Sequence, residues 1–346
     1  MLELLKDYGL FLAKTITIVV AIVMIIRGII AAVQREREMS RERITVKKLN
    51  LHYENLRDSL RHEMLHPVEL KREIKDRNKQ LKAEAKQRKK TPAPEKKKIF
   101  VLNFKGDLRA SAVASLREEV TAILTIARPT DEVVLRLESG GGMVHSYGLA
   151  ASQLLRFKQK KIPLTVSIDK VAASGGYLMA CVGDRILAAP FAVVGSIGVL
   201  SQLPNFHRLL KKLDIDYEEI TAGEYKRTLS VFGENTEKGR QKFIEQIEET
   251  HALFKDFVRT NRGQIEVDGV ATGEYWYGKR ALDLKLVDEL LASDDYLFAA
   301  SDSNDIYEVS YKPKETLREK IAAGFEERLG RMVYALLERM EKQRWG

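Results

Sequence analysis

A serine stands between two alanines and two glycines in the stretch DKVAASGGYLMA, residues 169–180. Small neighbours leave Ser174 accessible and allow the backbone to turn sharply there. A serine at the junction of a strand and a helix can act as a nucleophile in acyl transfer, because its hydroxyl is exposed and a backbone N–H lies behind it. A tight turn into a buried helix is the structural alternative.

A second glycine-rich stretch, ESGGGM at 138–143, also follows a predicted strand. Acyl transfer needs two hydrogen-bond donors for the oxyanion that develops on the carbonyl oxygen. Glycine lets the backbone approach a ligand closely and leaves its N–H free to point at it. The two loops therefore predict an oxyanion site formed by the backbone N–H groups of Gly142 and Gly175.

The base that would activate Ser174 has two candidates by residue type. His145 lies three residues past the first glycine loop, but a surface histidine is ordinary at the start of a helix, and no acidic residue is obviously placed to orient it. A lysine is the other candidate. Its ordinary pKa near 10.4 leaves only about one side chain in a thousand neutral at pH 7.4, so burial would have to lower that pKa. Composition does not choose among the lysines.

The elements that must position these residues alternate along the chain. Predicted strands at 98–104, 132–139 and 162–169 alternate with predicted amphipathic helices at 111–127 and 146–160. Such alternation predicts an α/β fold, with helices packed on a parallel sheet. The sequence has no GxGxxG or P-loop pattern and no Cys or His cluster with metal-ligand spacing, so neither a nucleotide cofactor nor a metal is predicted.

The N-terminal segment 8–33 is apolar except for Lys14, Arg27 and a few small polar residues. An apolar helix of about 20 residues spans the hydrocarbon core of a membrane. No small-residue cleavage site follows, which favours a permanent anchor over a removed signal peptide; a buried helix is the alternative. The many basic residues after the span favour a cytoplasmic location for the bulk of the chain, although this rule is not always obeyed.

Residues 35–97 form a basic zone between the predicted anchor and the first strand. Apolar residues recur at helical spacing at Leu49, Tyr53, Leu56, Leu60 and Met64. Residues 71–98 then carry 13 Lys or Arg and 4 acids, a net charge of +9 that equals the formal charge of the whole chain. A solvated linker is the simplest interpretation, and a strip lying on anionic lipid is the sharper one. Nucleic acid is not predicted as a partner, since no aromatic residues or glycines are interleaved.

Three motifs, read together and in this order, resemble the signal peptide peptidase A family of membrane-anchored Ser–Lys proteases: KVAASGGYLMAC, GSIGVL and AGEYKRTLSVFGENTEKGR. The resemblance covers residues 98–295 and, more loosely, the N-terminal part of the chain. It implies a crotonase-like, Clp-protease-like fold, serine endopeptidase activity on signal-peptide remnants or unfolded membrane-derived peptides, no cofactor, and a single-pass location in the bacterial inner membrane.

By position, the resemblance makes Ser174 the nucleophile and Lys226 the general base. It makes Ser196 the residue that orients the lysine amine. The family's Ser-Pro-Gly-Gly pattern falls at 139–142, where Gly140 stands in place of the proline.

The resemblance also implies a homo-oligomer with shared active sites. In this family the lysine of one catalytic domain approaches the serine of a neighbouring domain, and this chain has one copy of the motifs.

The sequence divides the chain into an anchor at 1–34, a basic helical linker at 35–97, a catalytic domain at 98–300 and a helical extension at 301–346. The extension has an apolar face, which would pack on a neighbouring subunit or on its own domain.

Two other function classes fit the same sequence features. One is a catalytically weak scaffold that binds membrane partners through the basic zone. The other is an acyl-CoA enzyme of the same fold, which would use the same paired oxyanion donors but would need an adenine pocket that the sequence does not reveal.

Overall fold

A computed structural model of the chain describes residues 43–66 and 96–313, with isolated positions at 24, 27, 68, 69, 72, 75, 76, 79 and 86. The chain divides into two units, residues 44–310 and residues 1–43 with 311–346, and the fold below is that of the first unit. Among the described residues, no helix combines the length and the apolar character needed to cross a membrane. The predicted span at 8–33 lies outside those residues except for positions 24 and 27, so the anchor stays a prediction.

Strands and helices alternate through the described part of the chain. The strands are β1 (Arg43–Lys48), β2 (Lys98–Lys105), β3 (Glu132–Glu138), β4 (Leu164–Ile168), β5 (Val171–Ala173), β6 (Arg185–Ala188), β7 (Val193–Gly195), β8 (Tyr275–Tyr277), β9 (Glu289–Leu290) and β10 (Asp305–Lys312). The helices are α1 (Leu49–Met64), α2 (Val113–Leu124), α3 (Val144–Gln159), α4 (Gly175–Ala180), α5 (His207–Lys212), α6 (Glu237–Asn261), α7 (Val267–Val270), α8 (Gly278–Asp283) and α9 (Ser293–Ala300).

Seven strands form the main sheet, in the order β1-β10-β2-β3-β4-β6-β9. Every pairing from β10 to β9 is parallel. A smaller sheet has the order β5-β7-β8, in which β5 and β7 are parallel and β8 runs antiparallel to β7. The predicted α/β fold with a parallel sheet and covering helices is confirmed.

The central strands are buried on both faces, as a parallel sheet with helical crossovers requires. On β2, Phe100 and Leu102 point into the core that α2 and α3 complete. The alternate residues Ile99 and Val101 point to the opposite face, where α1 and α9 pack through Leu49 and Leu297. The strands therefore read as continuous apolar runs, and the sheet holds its carboxyl ends rigidly in place.

The flanks of the sheet come from segments that the sequence assigned to the linker and to the C-terminal extension. The helix predicted from the spacing at 49–64 is present as α1, and β1 precedes it. The Asn50 side-chain amide donates to the Ser301 and Asn304 carbonyl oxygens at 3.0 and 2.9 Å, and its oxygen accepts from the Ile306 N–H at 2.8 Å. The sheet therefore extends beyond the boundaries predicted at 98 and 300, because its outer strands pair across more than 250 residues of sequence.

An ion pair between a buried arginine and an aspartate at the surface ties the end of α6 to the loop before β9. The Arg262 side chain is 2 % exposed, and its two terminal nitrogens lie 3.0 and 2.9 Å from the Asp288 carboxylate oxygens. The same carboxylate accepts the Ile186 N–H at the start of β6. Taking one partner away from such a pair leaves an uncompensated charge in the interior.

We expect Asp288→Ala to lower the free energy of unfolding by about 3 kcal/mol, because the Arg262 guanidinium would lose its counter-charge while it stays buried. Chemical denaturation of the purified variant measures this. The matched control is Glu245→Ala, which breaks the exposed pair with Lys242 on α6 and should change stability by less than about 1 kcal/mol. Equal losses in the two variants would contradict the role assigned to the Arg262–Asp288 pair.

Candidate active site

Ser174 lies at the turn between β5 and α4, and its backbone is strained. Its φ of +51° and ψ of −120° fall in a region that residues with a side chain rarely adopt. The Ser174 N–H donates to the Gly195 carbonyl oxygen at 2.8 Å, and its own carbonyl accepts the first helical bond of α4, from Leu178, at 3.0 Å. Hydrogen bonds therefore hold the turn on both sides of Ser174, as in a nucleophile elbow. Ser174 itself lines a pocket.

The small residues around Ser174 are explained by the second glycine loop, which packs directly on the turn. Ser139 forms a parallel bridge with Ala172, so the end of β3 runs beside β5. Gly141 has a φ of +90°, and a Cβ added to it would lie 2.7 Å from both the Ser174 Cβ and the Gly175 nitrogen. The two loops touch backbone to backbone, with no room for a side chain at Gly141.

The two predicted oxyanion donors lie in this contact region. Gly142 and Gly175 line the same pocket as Ser174. In the described part of the chain, neither of their N–H groups donates a hydrogen bond to another protein group. The neighbouring Met143 N–H donates a hydrogen bond to the Leu108 carbonyl oxygen at 2.8 Å, and this bond fixes the path of the loop. A serine beside two available amides is the arrangement that stabilises a tetrahedral oxyanion.

The pocket itself has a volume of about 180 Å³ and is mainly apolar. Its apolar side chains come from α3, α4, the loop after β7 and α6, and they are Val144, Leu178, Val199, Leu253, Phe254 and Phe257. Thr250 and Gly148 complete the wall. Such a lining favours binding of an apolar group of the ligand. Ser174 lines the same pocket, so that group would bind beside the serine.

The α6 wall was missed by the sequence reasoning. Thr250, Leu253, Phe254 and Phe257 follow one another at spacings of three, one and three residues, which places them on one face of a helix. That spacing is visible in the sequence. It does not show that this face closes a pocket, because the residues lie more than 70 positions from Ser174.

Ser196 is coupled to Ser174 through the backbone of its neighbour. It follows Gly195, whose carbonyl holds the Ser174 N–H, and it has a φ of +50°. Its own N–H donates to the Glu274 carbonyl oxygen at 2.6 Å. The predicted orienting serine therefore belongs to the same strained junction at the ends of β5 and β7.

Lys226, the base implied by the resemblance, lies outside the lining of the pocket that contains Ser174. It is exposed and does not line the pocket. Its neighbour Tyr225 lies under Lys238 and Lys242, whose ammonium nitrogens are 5.9 and 5.5 Å from the ring centroid. These lysines are in the first turns of α6, whereas the pocket wall begins at Thr250. At 1.5 Å per residue, about 12–18 Å of helix separates these lysines from Thr250, more than a lysine side chain can reach.

His145, the other base considered, is exposed on the first turn of α3 and does not line the pocket. Within the described residues, no group of three His, Cys, Asp or Glu side chains could hold a metal ion. The chemistry available to the described site is therefore that of a serine, two backbone amides and an apolar cavity.

Comparison with known proteins also points to acyl-transfer chemistry, since the matching family is one of peptidases. The sequence model of the peptidase family S49 N-terminal region matches residues 3–154, and the model of peptidase family S49 matches residues 156–306. The chain is 47% identical over 332 residues to the "Probable protease SohB" of Haemophilus influenzae, with 94% of each chain covered.

Two relatives from Buchnera aphidicola carry the same name. That of the Acyrthosiphon pisum subspecies is 44% identical over 93% of this chain and 94% of its own. That of the Schizaphis graminum subspecies is 46% identical over 86% of this chain and 87% of its own. The matches therefore run through both glycine loops and through the segment that carries Lys226.

The contact between the loops makes a sharp prediction for two adjacent glycines. Gly141→Ala should lower the rate of Ser174 labelling by a fluorophosphonate roughly 100-fold, because the added Cβ has no space and a positive φ disfavours it. Gly140→Ala is the matched control, since no atom lies within 4 Å of a Cβ added there. Equal labelling rates in the two variants would contradict the close approach of the loops.

Proposed function

The chain belongs to peptidase family S49 and is a protease, and we propose that it is a serine endopeptidase that works by a Ser–Lys dyad. The observation that carries the proposal is the strained Ser174, which lines a pocket together with the unused amides of Gly142 and Gly175. A buried structural serine would need neither the strain nor the two free donors.

In the proposed reaction, Ser174 Oγ attacks the carbonyl carbon of the scissile peptide bond while its proton passes to the amine of Lys226. The carbonyl oxygen becomes an oxyanion and accepts hydrogen bonds from the Gly142 and Gly175 N–H groups. The C–N bond then breaks as the Lys226 ammonium returns the proton to the leaving amine. Water then gives a proton to the same lysine and attacks the acyl carbon. The bond from that carbon to Ser174 Oγ breaks, the lysine returns the proton to Oγ, and the carboxylic acid product leaves.

We infer that the lysine comes from an adjacent subunit. Within one chain, the length of α6 separates Tyr225 from the pocket wall. Only a neutral amine can accept the serine proton, and burial favours the neutral form of a lysine, whereas Lys226 is exposed in the single chain. A neighbouring copy of this chain would meet both needs, with Ser196 at the nucleophile junction to orient the incoming amine.

The finer fold assignment is part of this proposal. A parallel sheet, a small second sheet and two glycine loops that meet at the reactive serine fit the Clp-protease-like, crotonase-like architecture. The apolar pocket beside Ser174 favours substrates with an apolar side chain next to the scissile bond, such as signal-peptide remnants or unfolded membrane-derived peptides.

We also propose that residues 8–33 anchor the protein in the bacterial inner membrane as a single span. The support is the apolar character and length of that segment. The basic tract at 71–98 would then lie close to anionic lipid. The anchor would keep the pocket near the membrane-derived peptides that its lining favours.

Mixing two inactive variants tests the dyad and its geometry together. Ser174→Ala and Lys226→Ala should each abolish peptide cleavage, because one lacks the nucleophile and the other the base. After co-assembly of the two chains, cleavage should return, since some interfaces pair an intact Ser174 with an intact Lys226. The measurement is the cleavage rate of an apolar peptide against the mixing ratio, with co-assembly verified independently.

His145→Ala is the control and should keep most of the activity, because His145 does not line the pocket. Cleavage that survives the loss of Lys226 but not of His145 would reverse the assignment of the base. A mixture no more active than either variant alone, at every ratio, would mean that each chain builds its own site.

The anchor is tested by a carbonate wash of membranes that contain the full chain. The protein should stay in the membrane pellet, whereas a truncated chain should be recovered in the supernatant. The truncation should begin at residue 43 rather than 98, because β1 and α1 pack on the sheet and Leu49 is only 6 % exposed. Release of the intact protein by the wash would exclude the span.

A further inference from the structure

A line of three hydrogen bonds runs from the first glycine loop to the loop after β2. The Gly141 N–H donates to Ser139 Oγ at 3.1 Å, and Ser139 Oγ lies 2.6 Å from Tyr147 Oη. The Tyr147 hydroxyl donates to the Asp107 carbonyl oxygen at 2.7 Å. Since that carbonyl has no proton to give, the Tyr147 proton is in this last bond. The Ser139 hydroxyl must therefore donate to Tyr147, and the direction of the whole line is fixed.

The two side chains of this line are out of contact with water. Tyr147 is 0 % exposed and Ser139 is 2 % exposed. A buried polar group that loses its partner costs about 1–3 kcal/mol, so the bonds hold together as a unit. Burial also raises the pKa of Tyr147 above its ordinary value, so its hydroxyl stays protonated at neutral pH and continues to donate.

The ring of Tyr147 contacts the second loop as well. A Cβ added to Gly175 would lie 2.5 Å from the nearest ring carbon of Tyr147, so the ring packs directly on the backbone that follows the nucleophile. A Cβ added to Gly106 would lie 2.3 Å from Tyr147 Oη and 2.5 Å from Ser139 Oγ. One side chain therefore contacts the Gly175 turn with its ring and the 139–143 loop with its hydroxyl.

The 139–143 loop needs such a support. Residues 140–142 are three consecutive glycines, which have more backbone freedom than any other residue type. A donor of an oxyanion site is effective only when its direction is fixed before the reaction. Gly141 N–H is the amide next to the proposed donor Gly142, and it is the one that the Ser139–Tyr147 line holds.

We propose that Tyr147 is a positioning residue of the oxyanion site, which acts through Ser139 to fix the Gly142 amide relative to that of Gly175. This inference rests on the proposed function, because it concerns the oxyanion of acyl transfer. Tyr147 itself does not touch the reacting atoms. Its substitution should therefore weaken binding of the transition state and leave binding of the substrate nearly unchanged.

Tyr147→Phe in the full-length assembled protein tests this, because it keeps the ring on Gly175 and removes only the hydroxyl. We expect kcat for an apolar peptide to fall roughly 10- to 100-fold, with KM changed less than about 2-fold. A peptide aldehyde forms a tetrahedral adduct with Ser174 whose oxygen occupies the oxyanion position. Its inhibition constant should rise by the same factor as kcat falls.

Ser139→Ala removes the middle of the same line and should give a similar loss, and it serves as the second variant if Tyr147→Phe does not fold. The double variant should be no worse than the poorer single one, because both changes break one line. Tyr177→Phe is the matched control. That tyrosine is also fully buried, but its hydroxyl donates to the Leu286 carbonyl oxygen at 2.9 Å, so it should lose stability without loss of kcat.

A Tyr147→Phe variant that loses stability like the control but keeps kcat and aldehyde affinity would overturn the inference alone. Losses of the two single variants that multiply in the double variant would also overturn it. Absence of cleavage and of Ser174 labelling in the unchanged protein would overturn the proposed function, and the inference with it.

Discussion

Two backbone hydrogen bonds join the glycine loop to the strand that delivers the serine, and the site depends on them. The Ser139 N–H donates to the Val171 carbonyl oxygen at 2.8 Å, and the Ala173 N–H donates to the Ser139 carbonyl oxygen at 3.0 Å. They bridge β3 of the main sheet and β5 of the small sheet. Because both sheets are packed into one core, the relative position of the two loops is set by the whole fold and not by the loops themselves.

Backbone strain is concentrated at the same junction. Ser174 and Ser196 both have φ near +50°, at the ends of the paired strands β5 and β7. Each such conformation costs on the order of 1–3 kcal/mol and persists only where its surroundings determine it. Here the surroundings are two hydrogen bonds, from Ser174 N–H to Gly195 and from Ser196 N–H to Glu274. The rigid frame thus holds the serine in a conformation that an isolated turn would leave.

Much of this architecture follows from local sequence patterns. The alternating strands and helices from 98 to 169, the α1 spacing and the two glycine loops are all read correctly, since each depends on periodicity or turn chemistry within about 20 residues. The outer strands β1 and β10 could not be assigned to the sheet in this way, because their partners are chosen across the whole chain. The role of Tyr147 is hidden for a similar reason: a tyrosine on the buried face of a helix looks like core until its hydroxyl is seen to meet Ser139.

The site residues also differ in whether local sequence patterns could identify their positions. Ser174, Gly142 and Gly175 could be grouped from sequence, because each follows a strand whose carboxyl end faces the same way. The position of Lys226 depends on where a 25-residue helix starts relative to the pocket that it later lines. That length also has a kinetic meaning. If the base must come from a neighbour, a newly made chain is inert, and activity at low abundance rises more steeply than in proportion to protein concentration. Confinement to a membrane would raise the frequency with which two chains meet. Proteolysis would then begin only after chains had associated.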